Sequence, residues 1–140
     1  MSPAYVPAAL RRLVYEHAGG YCEYCLIPET VVFATHEIDH IVAQKHGGVT
    51  EADNLALACA LCNKYKGSDL ASLDPETGRL VPLYHPRQHR WADHFQVHSA
   101  QFVPLTPTGR VTVRLLQLNH PDRVEERAPL IVAEILRAPN

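Results

Sequence analysis

The sequence predicts an α+β protein: an opening helix, then a strand–loop–strand–helix unit, then a β/α extension. Three observations predict it. Val6, Leu10, Leu13, Val14 and His17 fall at helical spacing before the Gly19-Gly20 stop. Two short strand-like runs, at residues 31–38 and 55–58, bracket a polar stretch that contains Gly47-Gly48. Two Cys-x-x-Cys pairs, Cys22/Cys25 and Cys59/Cys62, stand beside the two runs.

The elements follow in order. Residues 3–18 carry the amphipathic pattern of the first helix. Cys22-Glu23-Tyr24-Cys25 reads as a tight knuckle, and the β-branched and aromatic run Val31 to Ile38 as a strand leading into Asp39 and His40. Residues 42–53 form a surface loop that returns at Asn54. Leu55-Ala56-Leu57-Ala58 is a buried strand, and Leu61 to Lys66 a short helix ended by Gly67. Beyond it, Asp74-Pro75-Glu76-Thr77-Gly78 is turn chemistry before a strand from Arg79 to Tyr84, which Pro86 interrupts. Phe102 to Leu105 reads as an edge strand. Thr106 caps a helix that opens on Pro107 and runs through Leu118. A last helix spans Asp122 to Leu136, kinked or delayed by Pro129. Trp91, His94 and Phe95 share a helical spacing that packs the extension onto the core. We expect a single domain over residues 1–140, with a core at 22–67 and an extension at 74–140 lying on it as a cover.

Bulk properties limit the function classes. With 140 residues, 46% hydrophobic and 20% charged, the chain is long enough for one ordinary core. A formal net charge of -2 excludes a surface that is basic throughout, so any nucleic-acid contact must come from a local cluster or a bound cation. Met1 to Leu10 carries no basic leader before a long apolar run, and no later stretch approaches a membrane span. A cytoplasmic protein with no membrane partner is expected.

In that compartment the four cysteines read as a structural Zn²⁺ site rather than two disulfides. Each Cys-x-x-Cys closes a small chelate loop, and four thiolates leave no open position for water. Such a site clamps the fold and does no chemistry, so the reactive residues must lie between and just after the pairs.

There the sequence reads His36-Glu37-Ile38-Asp39-His40-Ile41-Val42, then Gly47-Gly48, Asn54-Leu55, and Cys59-Ala60-Leu61-Cys62-Asn63-Lys64-Tyr65-Lys66-Gly67. In this order the motifs resemble the HNH endonuclease family, in its HNN variant with a four-cysteine zinc staple. The resemblance covers about a third of the chain; Pro86-Arg87 and Trp91-Ala92-Asp93-His94-Phe95 resemble, less specifically, the C-terminal extension of stand-alone bacterial members. It implies a ββα-metal, treble-clef-like core. Asp39 and Asn63 would hold one divalent cation, His40 would be the general base, and Asn54 would fix the loop and orient His40. An amide oxygen at Asn63 favours Mg²⁺ or Mn²⁺ as the catalytic ion. The implied activity is metal-dependent hydrolysis of DNA phosphodiester bonds, and RNA would suit the same chemistry. The alternative is a zinc-stapled nucleic-acid-binding module without cleavage.

The residue types fit those roles. A neutral imidazole can take a proton from water near pH 7. Lys64, Lys66 and Lys45 are candidate phosphate contacts, although lysines on a helix also form solvated faces. Asn54 and Asn63 would equally serve as turn or helix caps. His36 reads as a structural histidine or a further ligand, Glu37 as a solvated strand charge or a supporting carboxylate, and His94 as packing or DNA contact.

Overall fold

The computed structural model describes residues 5–139, and within them the chain is α+β. β1 (Glu37–His40) pairs with β2 (Leu55–Ala58), β3 (Ala71–Leu73) with β4 (Leu80–Pro82), and β5 (Phe95–His98) with β6 (Gln101–Pro104), each pair antiparallel. The helices are α1 (Ala8–Ala18), α2 (Ala60–Lys66), α3 (Trp91–His94), α4 (Pro107–Leu115) and α5 (Pro121–Val132). No described helix is long and apolar enough to cross a membrane.

α1 starts later than its pattern suggests. Pro7 keeps an extended backbone, and its carbonyl accepts from the Leu10 and Arg11 N–H groups, so the helix begins at Ala8. Residues 3 and 4 of the expected helix lie outside the described part. Gly19 closes it at φ 62°, where a Cβ would be disfavoured.

The run at 31–38 departs most from expectation. Only its last two residues join β1, because β2 is four residues long and pairs Glu37 with Ala58 through His40 with Leu55. Upstream residues have no strand to pair with. Glu29–Val31 instead form a 3₁₀ turn, and Glu29 accepts hydrogen bonds from the Tyr15 hydroxyl and, at 2.7 Å, from the His36 N–H. Phe33, strand-prone by type, stands fully in solvent. β propensity measures fit to a half-buried pleated surface, and none exists here.

β2 is buried throughout and serves two cores. Leu55 and Leu57 pack with Val6 and Val14 beneath α1, whereas Ala56 and Ala58 join the main cluster on the other face. That main cluster contains all four cysteines together with Trp91, Phe95, Phe102, Leu116, Leu118 and Leu136, so the extension packs directly on the staple. The Trp91 indole N–H donates to the Tyr24 carbonyl at 3.1 Å, and Arg87 forks onto Glu23 at 2.6 and 2.9 Å.

Within the extension, Thr106 caps α4 as its sequence suggests, its hydroxyl accepting from the Gly109 N–H at 3.0 Å. α4 stops at Leu115 rather than Leu118, because Gln117 takes φ 51° and turns Leu116 and Leu118 inward. α5 runs through Pro129 but ends at Val132. Glu134 at φ 58° then reverses the chain, so that Leu136 reaches the core outside the helix. β4 is three residues rather than the run to Tyr84, and β3 and β5 were not expected. The helical spacing of Trp91 and Phe95 masked the onset of β5, since α3 holds only one turn.

Candidate active site and metal centre

Two Cys-x-x-Cys segments converge on one point. Cys22 and Cys25 come from the knuckle after α1, Cys59 caps α2 and Cys62 lies in its first turn. All four are buried, and their Sγ atoms lie within 4.8 Å of one another. Cys25 Sγ and Cys59 Sγ are 3.6 Å apart. A tetrahedron with Zn–S of about 2.3 Å has edges of about 3.8 Å, close to the Cys25–Cys59 spacing, so the four thiols are grouped as a zinc site requires. The Cys25 and Cys62 N–H groups donate to Cys22 and Cys59 Sγ, each at 3.4 Å. From α5, Arg123 donates to Cys62 Sγ at 3.1 Å and to Cys59 Sγ at 3.7 Å. Four thiolates around Zn²⁺ carry a net double negative charge, and this buried guanidinium offsets part of it.

The face of β1 that meets α2 carries two carboxylates, Glu37 and Asp39, since residues two apart share a face. Asp39 is 3% exposed. It accepts a hydrogen bond from the Tyr24 hydroxyl at 2.7 Å, and Lys66 Nζ lies 3.2 and 3.1 Å from its two oxygens. The same ammonium donates to the Ile41 carbonyl at 3.0 Å. Burial pushes the Asp39 carboxyl up from its ordinary range, against the opposing pull of Lys66 and Tyr24. As placed, Asp39 is already paired with an ammonium and a hydroxyl, so a cation at its oxygens would share or displace these partners. Lys66 does not fit a phosphate contact: it is 2% exposed and turned inward.

His40, at the end of β1, is half-buried, and its Nε2 lies 2.9 Å from Thr50 Oγ1. Its Nδ1 has no hydrogen-bond partner among the described residues. Burial lowers the pKa of His40, Asp39 opposes this, and Lys66 adds to it, which favours the neutral ring near pH 7.

Asn54 ties the loop between β1 and β2. Its Oδ1 accepts from the Val42 N–H, and its Nδ2 donates to the Val42 and Val49 carbonyls, each at 2.9 Å. Gly48 sits so close behind Val42 that a Cβ there would collide with the Val42 carbonyl. Asn54 thus holds the loop that carries Thr50 to His40, and it reaches His40 only through that loop.

Asn63, half-buried on α2, donates from Nδ2 to Glu37 Oε2 at 2.9 Å. Lys64 and Lys45 are exposed, on α2 and on the 3₁₀ turn at Gln44–His46. His36 is buried, with Nε2 2.8 Å from the Ile27 carbonyl and Nδ1 unpartnered. His94 Nδ1 lies 2.6 Å from Thr106 Oγ1, inside the extension. The sequence reading missed three residues. Tyr24 had a signal in its place between two zinc ligands. Thr50 and Arg123 had none, being linked to His40 and Cys62 only through the folded chain.

Residues 22–69 match the family model of the HNH endonucleases, a stretch that takes in both cysteine pairs, His40, Asn54, Asn63 and Lys66. No curated protein matches the chain.

Proposed function

We propose that the chain is an endonuclease that hydrolyses phosphodiester bonds, with DNA as its substrate. The observation that carries this reading is His40, held by one ring nitrogen and free at the other. With Nε2–H donating to Thr50 Oγ1, the Nδ1 lone pair is left to accept a proton from water. The water oxygen then forms the new bond to phosphorus as the P–O3′ bond breaks and the 3′ oxygen takes a proton from solvent water, giving a 5′ phosphate and a 3′ hydroxyl. The lowered pKa of His40 keeps it in the base form at neutral pH. Asn54 serves by fixing the loop that supports Thr50, and the order β1, β2, α2 around the staple supports a ββα-metal reading of the core. Exposed Lys64 and Lys45 are the proposed phosphate contacts. A divalent cation of the Mg²⁺ or Mn²⁺ class belongs to the proposal, with Asp39 and Asn63 as the ligands that the resemblance implies.

The test is incubation of the zinc-loaded protein with plasmid and single-stranded RNA, with Mg²⁺, Mn²⁺ or chelator, beside His40→Ala. Plasmid cutting that needs added cation and falls at least about a hundredfold in the variant is expected. Absence of cutting in every condition, with DNA binding retained, would replace the enzyme by a zinc-stapled binding module. Cutting of RNA alone would change the substrate.

A further inference from the structure

The segment from Tyr84 to His94 lies beside the end of the core that carries Asp39 and His40. Tyr84 stands edge-on to Tyr24 with ring centroids 6.3 Å apart, and the Tyr24 hydroxyl bonds Asp39. Arg87 donates to the Ala52 carbonyl at 3.3 Å, on the loop that returns through Asn54. Three half-buried imidazoles gather there: the His89 ring lies 4.9 Å from His94 and 6.3 Å from His85, and Tyr84 packs 6.0 Å from both His89 and His94. The charges around them are few. Arg87 is committed to Glu23, Arg90 is exposed without a side-chain partner among the described residues, and the segment's one carboxylate, Asp93, points to solvent.

The backbone fixes the tautomer of two of these rings. The His85 N–H donates to His89 Nδ1 at 2.9 Å, and the Arg87 and Gln88 N–H groups donate to His85 Nδ1, each at 3.2 Å. A ring nitrogen that accepts carries a lone pair, so each neutral ring bears its proton on Nε2. Protonating Nδ1 as well would set one N–H against another. Burial, then His89 beside it, lowers the pKa of His85, and the Lys66 ammonium adds to this. Neither Nε2 has a partner among the described residues. In this state the rings have no lone pair left for a metal ion; they present N–H donors, which suit an oxyanion. Rings this close can address oxygens of one phosphate group. His94, with Nδ1 2.6 Å from Thr106 Oγ1, backs the His89 ring.

We propose that His85 and His89 form a phosphate-contact site for the nucleic-acid strand, as neutral Nε2–H donors to a phosphate flanking the one that His40 addresses. The identity of the strand rests on the nuclease reading; the contact itself is measurable without cleavage.

The experiment measures binding of a fluorescent DNA duplex to the zinc-loaded full chain at neutral pH without added divalent cation, with a thermal melt of each protein. The variants are His85→Asn, His89→Asn, their double, His89→Gln, and His98→Asn as an exposed control outside the cluster. Asparagine keeps an acceptor near Nδ1 and removes the Nε2 donor, whereas glutamine does the converse. Affinity should fall at least about threefold in each Asn variant and roughly tenfold or more in the double, with melts nearly unchanged. The salt dependence should keep its slope, because no charge is lost. His89→Gln should melt lower and bind like the wild type, and His98→Asn should change neither. Asn variants that bind like the wild type overturn the proposal, as does a wild type without measurable affinity or an equal loss in His98→Asn. A slope lowered by about one per histidine would mean imidazolium contacts and overturns it too. Inorganic phosphate that shifts the His85 and His89 Nε2 resonances, with DNA affinity unchanged in the double variant, would give the site to a free anion instead. In plasmid cutting with Mg²⁺, KM should rise in the Asn variants and kcat hold. Weakened binding in those variants beside a wild type that cuts nothing would sink the nuclease reading and leave the contact site standing. Cutting with an unchanged KM in the double variant does the reverse.

Discussion

The two ends of the β1–β2–α2 unit are built on opposite terms. At the staple, four buried thiolates close on one point and are backed by Arg123. At the far end His40 stands partly open with its Nδ1 unused, and Glu37 and Asn63, nearer the staple, are likewise open to solvent. A closed donor set stabilises and leaves no place for a substrate, whereas an open set keeps positions for water and phosphate. The difference teaches how one small unit supports both. α2 is capped by Cys59 and within seven residues, about 10 Å of helix, carries Lys66 away from the zinc to Asp39. Rigidity at the staple therefore fixes the position of side chains that are themselves half-solvated.

The strongest way to break that contrast is Cys59→Ser. Structural zinc supplies on the order of 10 kcal/mol in small domains, comparable to the whole stability of a protein this size. The variant is expected to lose zinc and cooperative unfolding together, read by metal stoichiometry and a circular-dichroism melt. A zinc-free protein with a native melt would show that the two ends do not differ in this way. Next in size is Lys66→Met, which leaves Asp39 charged and buried without its partner. A loss of about 3–5 kcal/mol in urea unfolding is expected, with part of it recovered in the Asp39→Asn/Lys66→Met double variant.

Thr50→Val and Asn54→Ala sharpen the contrast inside the open end. Asn54→Ala removes three hydrogen bonds to loop backbone and should cost about 1–3 kcal/mol as well as cutting activity. Thr50→Val should leave the melt almost unchanged and slow plasmid cutting by roughly tenfold, because only the orientation of His40 is lost. Equal effects of the two on the melt would remove the distinction between loop support and ring support.

The smallest effect is acid sensitivity of the extension. Burial, with His89 adding to it, holds the pKa of His85 and of His94 below the ordinary histidine value. Between the folded value and the unfolded value near 6.5 the unfolded chain binds more protons, so their contribution is complete above pH 6.5 and declines as pH falls below it. The melting temperature should be flat from pH 8 to 7 and fall gently below 6.5, with a shallower fall in His94→Gln. An identical slope in that variant would acquit His94.

Local chemistry explains what was legible. Helix stops at Gly19 and Gly67, the Thr106 cap and the buried run Leu55–Ala58 depend on few neighbours, and they form where the sequence places them. Val31 to His36 fails as a strand because a strand is a relation between two segments, and the second segment is too short. Lys64 and Lys66 look alike along the chain, yet about half a turn of α2 leaves the first in water and carries the second to Asp39. Arg123 lies 61 residues from Cys62, and only the docking of α5 makes it a neighbour of the zinc ligands.

By itself the sequence determined the donor types and their local spacing: two chelating cysteine pairs, an imidazole at a strand end, an amide at the start of a helix. These follow from chemistry within a few residues. Tertiary structure alone decided between the two carboxylates of β1, because alternation treats Glu37 and Asp39 alike. Which one is sealed depends on where an ammonium 27 residues away comes to rest, and burial then makes Asp39 an internal ion-pair partner and leaves Glu37 to the solvent.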